Sequence, residues 1–81
     1  MEMKIKLLAL LRDIAGKEEV SLPWKQGMTY PDILTELKAN FFGMAPVLEC
    51  SFVAVNGRYA DPGRVLMPED EVAVLPPVSG G

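Results

Sequence analysis

The stretch "MTYPDILTELKANFFG", residues 28–43, constrains the fold most. Tyr30, Ile33, Leu34, Leu37 and Phe41 recur at helical spacing, so they form one apolar stripe of an amphipathic helix. Thr29, followed three residues later by Asp32, has the pattern of a capping box. Pro31 falls in the first turn, where its missing N–H costs nothing, and Gly43 closes the element. A single apolar stripe needs one sheet face to cover it. The rest of the 81-residue chain must therefore supply that sheet.

Strand signals lie on both sides of the helix. Met3, Ile5, Leu7, Ala9 and Leu11 alternate with Lys4, Lys6, Leu8 and Leu10. This is strand periodicity with one apolar face and a second face that starts with lysines and turns apolar. "RDIAGKE" reads as a short helical turn or loop stopped by Gly16. "EEVSLPW" reads as a second strand, with Val20 and Leu22 on one side and Pro23 at its end, which completes a hairpin. After the helix, "MAPVLEC" is a connector of about one helical turn. "SFVAVNGRYA" is a strand, an Asn56-Gly57 turn and a short return strand. Turns follow at Asp61-Pro62-Gly63 and Pro68-Glu69-Asp70. "EVAVLPP" is the last strand, with Val72 and Val74 on one face and Ala73 and Leu75 on the other, halted by Pro76 and Pro77.

The order β-β-α-β-β-β defines an α+β protein: a mixed sheet of about five strands on one main helix. The first and last strands are expected to pair in parallel at its centre. That arrangement is the ubiquitin-like β-grasp. Residues 1–75 are expected to form this domain and residues 76–81 a flexible C-terminal tail.

Composition excludes several function classes. The net charge of −3 lacks the basic footprint that nucleic acid requires. There is no histidine and one cysteine, Cys50, so neither an internal disulfide nor a Cys/His metal set is expected. The apolar run at the N-terminus is shorter than a signal peptide, and no stretch approaches a membrane span. A cytoplasmic chain with no membrane partner and no metal or bound cofactor is the expectation. Cys50, with no histidine to activate it, reads as a small half-buried residue. Trp24 and the five methionines read as packing residues. Asp61, Glu69, Asp70 and Glu71 read as solvated turn acids, or as complements to a basic groove on a partner.

The chain closes on "PPVSGG". Such a stretch can be a frayed end. It can equally be an arm: Pro76-Pro77 fixes φ twice and sends the chain stiffly away from the strand. Gly80-Gly81 has no Cβ and fits a narrow slot. The one reactive group at the tip is the carboxylate of Gly81, which is ionised at neutral pH. A carboxylate can attack a phosphate of ATP to give an acyl-adenylate, and a sulfur or amine nucleophile can then displace AMP.

"KLLALLRDIAG", "AVNGR" and "DEVAVLPPVSGG" together resemble the small, sulfur-carrying subunits of molybdopterin synthases. The resemblance spans essentially the whole chain, and the terminal "PPVSGG" is its most specific part. It implies a β-grasp fold and a Gly81 that an E1-like adenylyltransferase adenylates, consuming ATP, before conversion to a thiocarboxylate. It implies that the tail enters the active site of a large synthase subunit within a heterotetramer. There the sulfur goes to a pterin precursor to make the molybdopterin dithiolene. The chain is then not an enzyme by itself. Gly80 would give access, Pro76 and Pro77 would aim the tail, and Val78 and Ser79 would line the partner's channel. Strand alternation places Leu8, Leu10, Tyr59 and Leu75 on the sheet face away from the helix. There they are either scattered exposed apolar residues or, as the resemblance implies, a docking patch built on Leu8, Tyr59 and Leu75. Arg12 either forms a surface ion pair with Asp13 or a C-terminal carboxylate, or bridges to a partner. The same tail chemistry also suits a sulfur carrier for thiamine, cysteine or tRNA thiolation, or a ubiquitin-like protein modifier.

Overall fold

The computed structural model describes residues 1–77. Its elements are β1 (Glu2–Leu7), α1 (Leu10–Ala15), β2 (Glu19–Pro23), α2 (Tyr30–Asn40), α3 (Ala45–Leu48), β3 (Phe52–Val55), β4 (Arg58–Tyr59) and β5 (Val72–Leu75). The strands form one sheet in the order β2-β1-β5-β3-β4. β1 and β5 run parallel at its centre, with Ile5 opposite Val72 and Leu7 opposite Val74. The other pairings are antiparallel.

Period-two alternation sets which face is buried. Met3, Ile5 and Leu7 of β1, Val53 and Val55 of β3, and Val72 and Val74 of β5 all lie in the core. Ile33 and Leu37 of α2 are fully buried in the same cluster, flanked by half-buried Tyr30, Leu34 and Phe41. The stripe expected from the helical spacing is therefore the surface that covers the sheet. At its start, the Asp32 carboxylate accepts from the backbone N–H of Thr29 at 2.9 Å and from its hydroxyl at 3.3 Å. That is the reaching-back half of a capping box, with an acid at the positive end of the helix.

Two boundaries differ from the sequence expectation. The alternation through Leu11 does not continue as a strand: β1 stops at Leu7, and Ala9 takes a left-handed φ of 50°. Residues 10–15 then coil into α1, where Leu11 enters the core and Leu10 stays exposed. Leu7 and Leu11 are four apart, a spacing that fits a helix as well as a period of two. At the other helix, α2 ends at Asn40, and Phe41 donates to the Leu37 carbonyl at 2.9 Å in an extended conformation. Gly43 thus lies in the turn beyond and does not close the helix.

Residues 60–71 contain no strand but are tied down. The Trp24 indole N–H donates to the Leu66 carbonyl at 2.9 Å, and Leu66 N–H donates to the Met28 carbonyl at 2.7 Å. Leu66 is fully buried between these anchors. Trp24, Met3, Met28 and Met44 do serve as packing residues, whereas Met1 and Met67 are exposed.

Candidate docking face and tail base

Among the described residues, no helix covers the sheet face away from α2. On β2 and β1 it carries Glu19, Ser21, Lys4 and Lys6. On β5, β3 and β4 it is apolar. Register places Leu75 opposite Phe52, and Ala54 opposite both Ala73 and Tyr59. The Phe52 and Tyr59 rings pack at 5.7 Å with a 50° tilt. Tyr59 nevertheless remains 75% exposed. Leu8 continues the line of β1, with its N–H donating to the Val74 carbonyl at 3.2 Å. It lines the same open concavity as Lys6 and Ala73, a space of about 630 Å³ bounded on one side by the Pro68–Glu71 loop.

Leu8, Tyr59 and Leu75 are therefore brought to one face, as strand parity implied. Phe52 is the member that the sequence reading missed. With Val53 and Val55 in the core, the same parity places Phe52 and Ala54 outside. Leu10 is not part of this face, because it lies on α1. Arg12 also lies on α1, with its guanidinium 3.9 Å from Glu18 rather than Asp13, both side chains largely in solvent. Such a pair contributes little to stability. Pro76, half-buried, and Pro77, exposed, follow β5 directly. Val78, Ser79, Gly80 and Gly81 lie outside the described residues.

Two expectations are corrected here. Cys50 is exposed, in the turn after α3, and not half-buried. Asp70 is not a solvated turn acid, since only 7% of its side chain is exposed. It accepts from Met67 N–H at 2.8 Å, Arg64 Nη1 at 3.0 Å and Asn56 Nδ2 at 2.9 Å. Among the described residues, no group of His, Cys, Asp or Glu is arranged to hold a metal, and no helix is long and apolar enough to cross a membrane.

Removal of the Asp70 carboxylate from water raises its pKa, but hydrogen bonds from Met67, Arg64 and Asn56, with the charge of Arg64, outweigh that and hold it below the ordinary value. Because the folded pKa is depressed, this contribution to stability is complete above the unfolded carboxylate value of about 3.9. It is lost as pH falls from there through the folded pKa. Thermal unfolding of the parent chain and of Asp70→Asn should therefore differ most at neutral pH, with the gap closing below about pH 4. A gap that stays constant into acid would contradict this assignment.

This strand order over one long helix, with an apolar half-face beside the strand that leads into the tail, is the ubiquitin-like β-grasp. The chain matches the ThiS family model over residues 5–81, and it belongs to that family. It is 32% identical to the molybdopterin synthase sulfur carrier subunit of Arabidopsis thaliana, over all of this chain and 84% of that protein. Among solved structures, it is similar to a putative molybdopterin converting factor subunit 1 from Pyrococcus furiosus, with a TM-score of 0.85 and 28% identity over 96% of this chain and 99% of that one. It is also similar to the small archaeal modifier protein 1 of Haloferax volcanii, with a TM-score of 0.83 and 28% identity over 95% and 98% of the two chains.

Proposed function

We propose that this chain is the sulfur-carrier subunit of a molybdopterin synthase. The observation that carries this reading is its full-length likeness to proteins of that name, Gly-Gly tail included. In this reading the Gly81 carboxylate attacks the α-phosphate of ATP on an E1-like adenylyltransferase, releasing pyrophosphate. A sulfur nucleophile then displaces AMP and leaves a thiocarboxylate. On the large synthase subunit the sulfur displaces an oxygen substituent from a carbon of the pterin precursor. Water cleaves the resulting thioester, so that the sulfur stays on the pterin and Gly81 leaves as a carboxylate.

The chain supplies the substrate-like arm, and the catalytic residues belong to the large subunit in a heterotetramer. Leu8, Phe52, Tyr59 and Leu75 dock, Arg12 offers a rim charge, and Pro76-Pro77 directs the tail. Val78 and Ser79 line the channel, and Gly80 lets the pocket close on the reacting carbonyl.

The test mixes the thiocarboxylate form with the large subunit and the pterin precursor and assays the dithiolene. Product from the thiocarboxylate but not from the carboxylate form is expected, and no product from either defeats the proposal. A second reading, a protein modifier, draws on the likeness to the archaeal modifier. In that case an amine of a target lysine takes the place of sulfur. Mass spectrometry on the source organism separates the two readings, because the peptide of residues 65–81 joined through Gly81 to a target lysine after tryptic digestion marks modification and an oxygen-to-sulfur exchange at Gly81 marks carriage.

A further inference from the structure

We propose that Asn56 and Asp70 form a positioning clamp that sets the β3–β4 hairpin against the entry to β5. The clamp thereby fixes Tyr59 and Phe52 beside the strand that runs into the tail. This inference rests on the docking role proposed above for that face.

The need for such a clamp follows from β4. It has two residues, Arg58 and Tyr59, it is an edge strand, and both side chains are exposed. A strand so short, with neither side chain buried, does not hold its own position. Besides its pairing with β3, Ala60, which donates to the Val53 carbonyl at 3.0 Å and packs half-buried on the core, anchors it from below. The hold from above is polar. Asn56 N–H donates to the Glu71 carbonyl at 2.8 Å, and Asn56 Oδ1 accepts from Glu71 N–H at 2.9 Å. Its remaining amide group donates to Asp70 Oδ1 at 2.9 Å. The Asp70 carboxylate is itself fixed by Met67 N–H and Arg64. The side chain of Asn56 thus extends the β3–β5 ladder past its last pair, Val55 with Val72. Asn56 and Gly57 both hold left-handed φ, 53° and 81°, the geometry of a tight hairpin turn. Asparagine tolerates that conformation, as does aspartate.

The polarity of the pair allows a sharp test. Asn56→Asp sets two carboxylates face to face. Asp70→Asn sets two amide donors face to face, and turning either amide over moves the conflict to Glu71 N–H or Met67 N–H. The double exchange, Asn56→Asp with Asp70→Asn, restores every donor to an acceptor. Affinity for the purified large synthase subunit is measured by calorimetry at neutral pH, with each variant shown to be folded by the protection of its β1 and β2 amides. Each single exchange should weaken binding about tenfold, and the double exchange should return it to within about threefold of the parent chain. The proton contacts between the Phe52 and Tyr59 rings should disappear in the singles and return in the double. Should a single exchange fail to fold, Asn56→Gly keeps the left-handed turn, removes only the side chain, and carries the same expected loss.

Single variants that bind like the parent, while Tyr59→Ala binds weakly, overturn the clamp and leave the docking face standing. If Tyr59→Ala also binds like the parent, the face itself is misassigned and the clamp falls with it. No binding by the parent chain overturns the proposed function, and this inference with it.

Discussion

Deletion of Gly81 is expected to abolish molybdopterin formation in the source organism while leaving the domain as stable as before. The truncated chain still ends on a glycine carboxylate, so the chemistry of the tip is unchanged. What changes is reach, by up to about 3.3–3.6 Å for one extended residue. Reacting atoms must approach to about 3–3.5 Å, and a misplacement of about 1 Å can cost 10²-fold in rate. A loss of at least about 100-fold in sulfur transfer is therefore expected. Stability should not follow, because the last strand ends at Leu75, well before the deletion. Cofactor content of the deletion strain and thermal unfolding of the purified variant check both halves. Full complementation by the truncated chain would refute the assignment of the tail.

The second large effect lies in the core. Leu37 is fully buried on the stripe of α2 that covers the sheet. Replacing a buried leucine by alanine costs about 2–5 kcal/mol, through lost transfer energy and the cavity left behind. A chain of 81 residues has a total stability of about 4–12 kcal/mol. Leu37→Ala thus removes a large share of it, and the urea midpoint should fall sharply with an unchanged slope. Lys38→Ala, one position on and exposed, should leave the midpoint nearly in place. Equal midpoints for the two variants would mean that α2 does not carry the core.

What the sequence discloses tracks how local each signal is. The α2 stripe, the Asn56-Gly57 turn and the alternation of Val72 and Val74 are written within a few residues, and each appears where expected. The end of β1 was not legible. "KLLALL" is apolar at nearly every position, so strand and helix periods both fit it, and the left-handed Ala9 carries no glycine to mark the break. Leu8, Tyr59 and Leu75 were placed on one face because parity is a local rule. Phe52 obeys the same rule but was not drawn into the patch. Asp70 was misread because its partner Asn56 comes from another segment, the hairpin turn after β3, while Arg64 and Met67 lie in its own loop. A carboxylate in a Pro-Glu-Asp turn ordinarily faces water. Long-range hydrogen bonding of that kind has no signature in spacing.

The parallel pairing of β1 with β5 also bears on how the protein folds. β1 otherwise pairs only with β2, and β3 only with β4, so without β5 the chain is two separate ribbons. The joining strand follows the other four in the chain and reaches back across nearly all of it to β1. Long-range closures of this kind are late events in folding. A chain that lacks residues 72–75 therefore has no completed sheet, and Leu8 is not brought beside Phe52 and Tyr59. The sheet is completed only when the strand that leads into Pro76-Pro77 is in place. A chain cut short of that strand is expected to be unfolded, not a folded domain that merely lacks its tail.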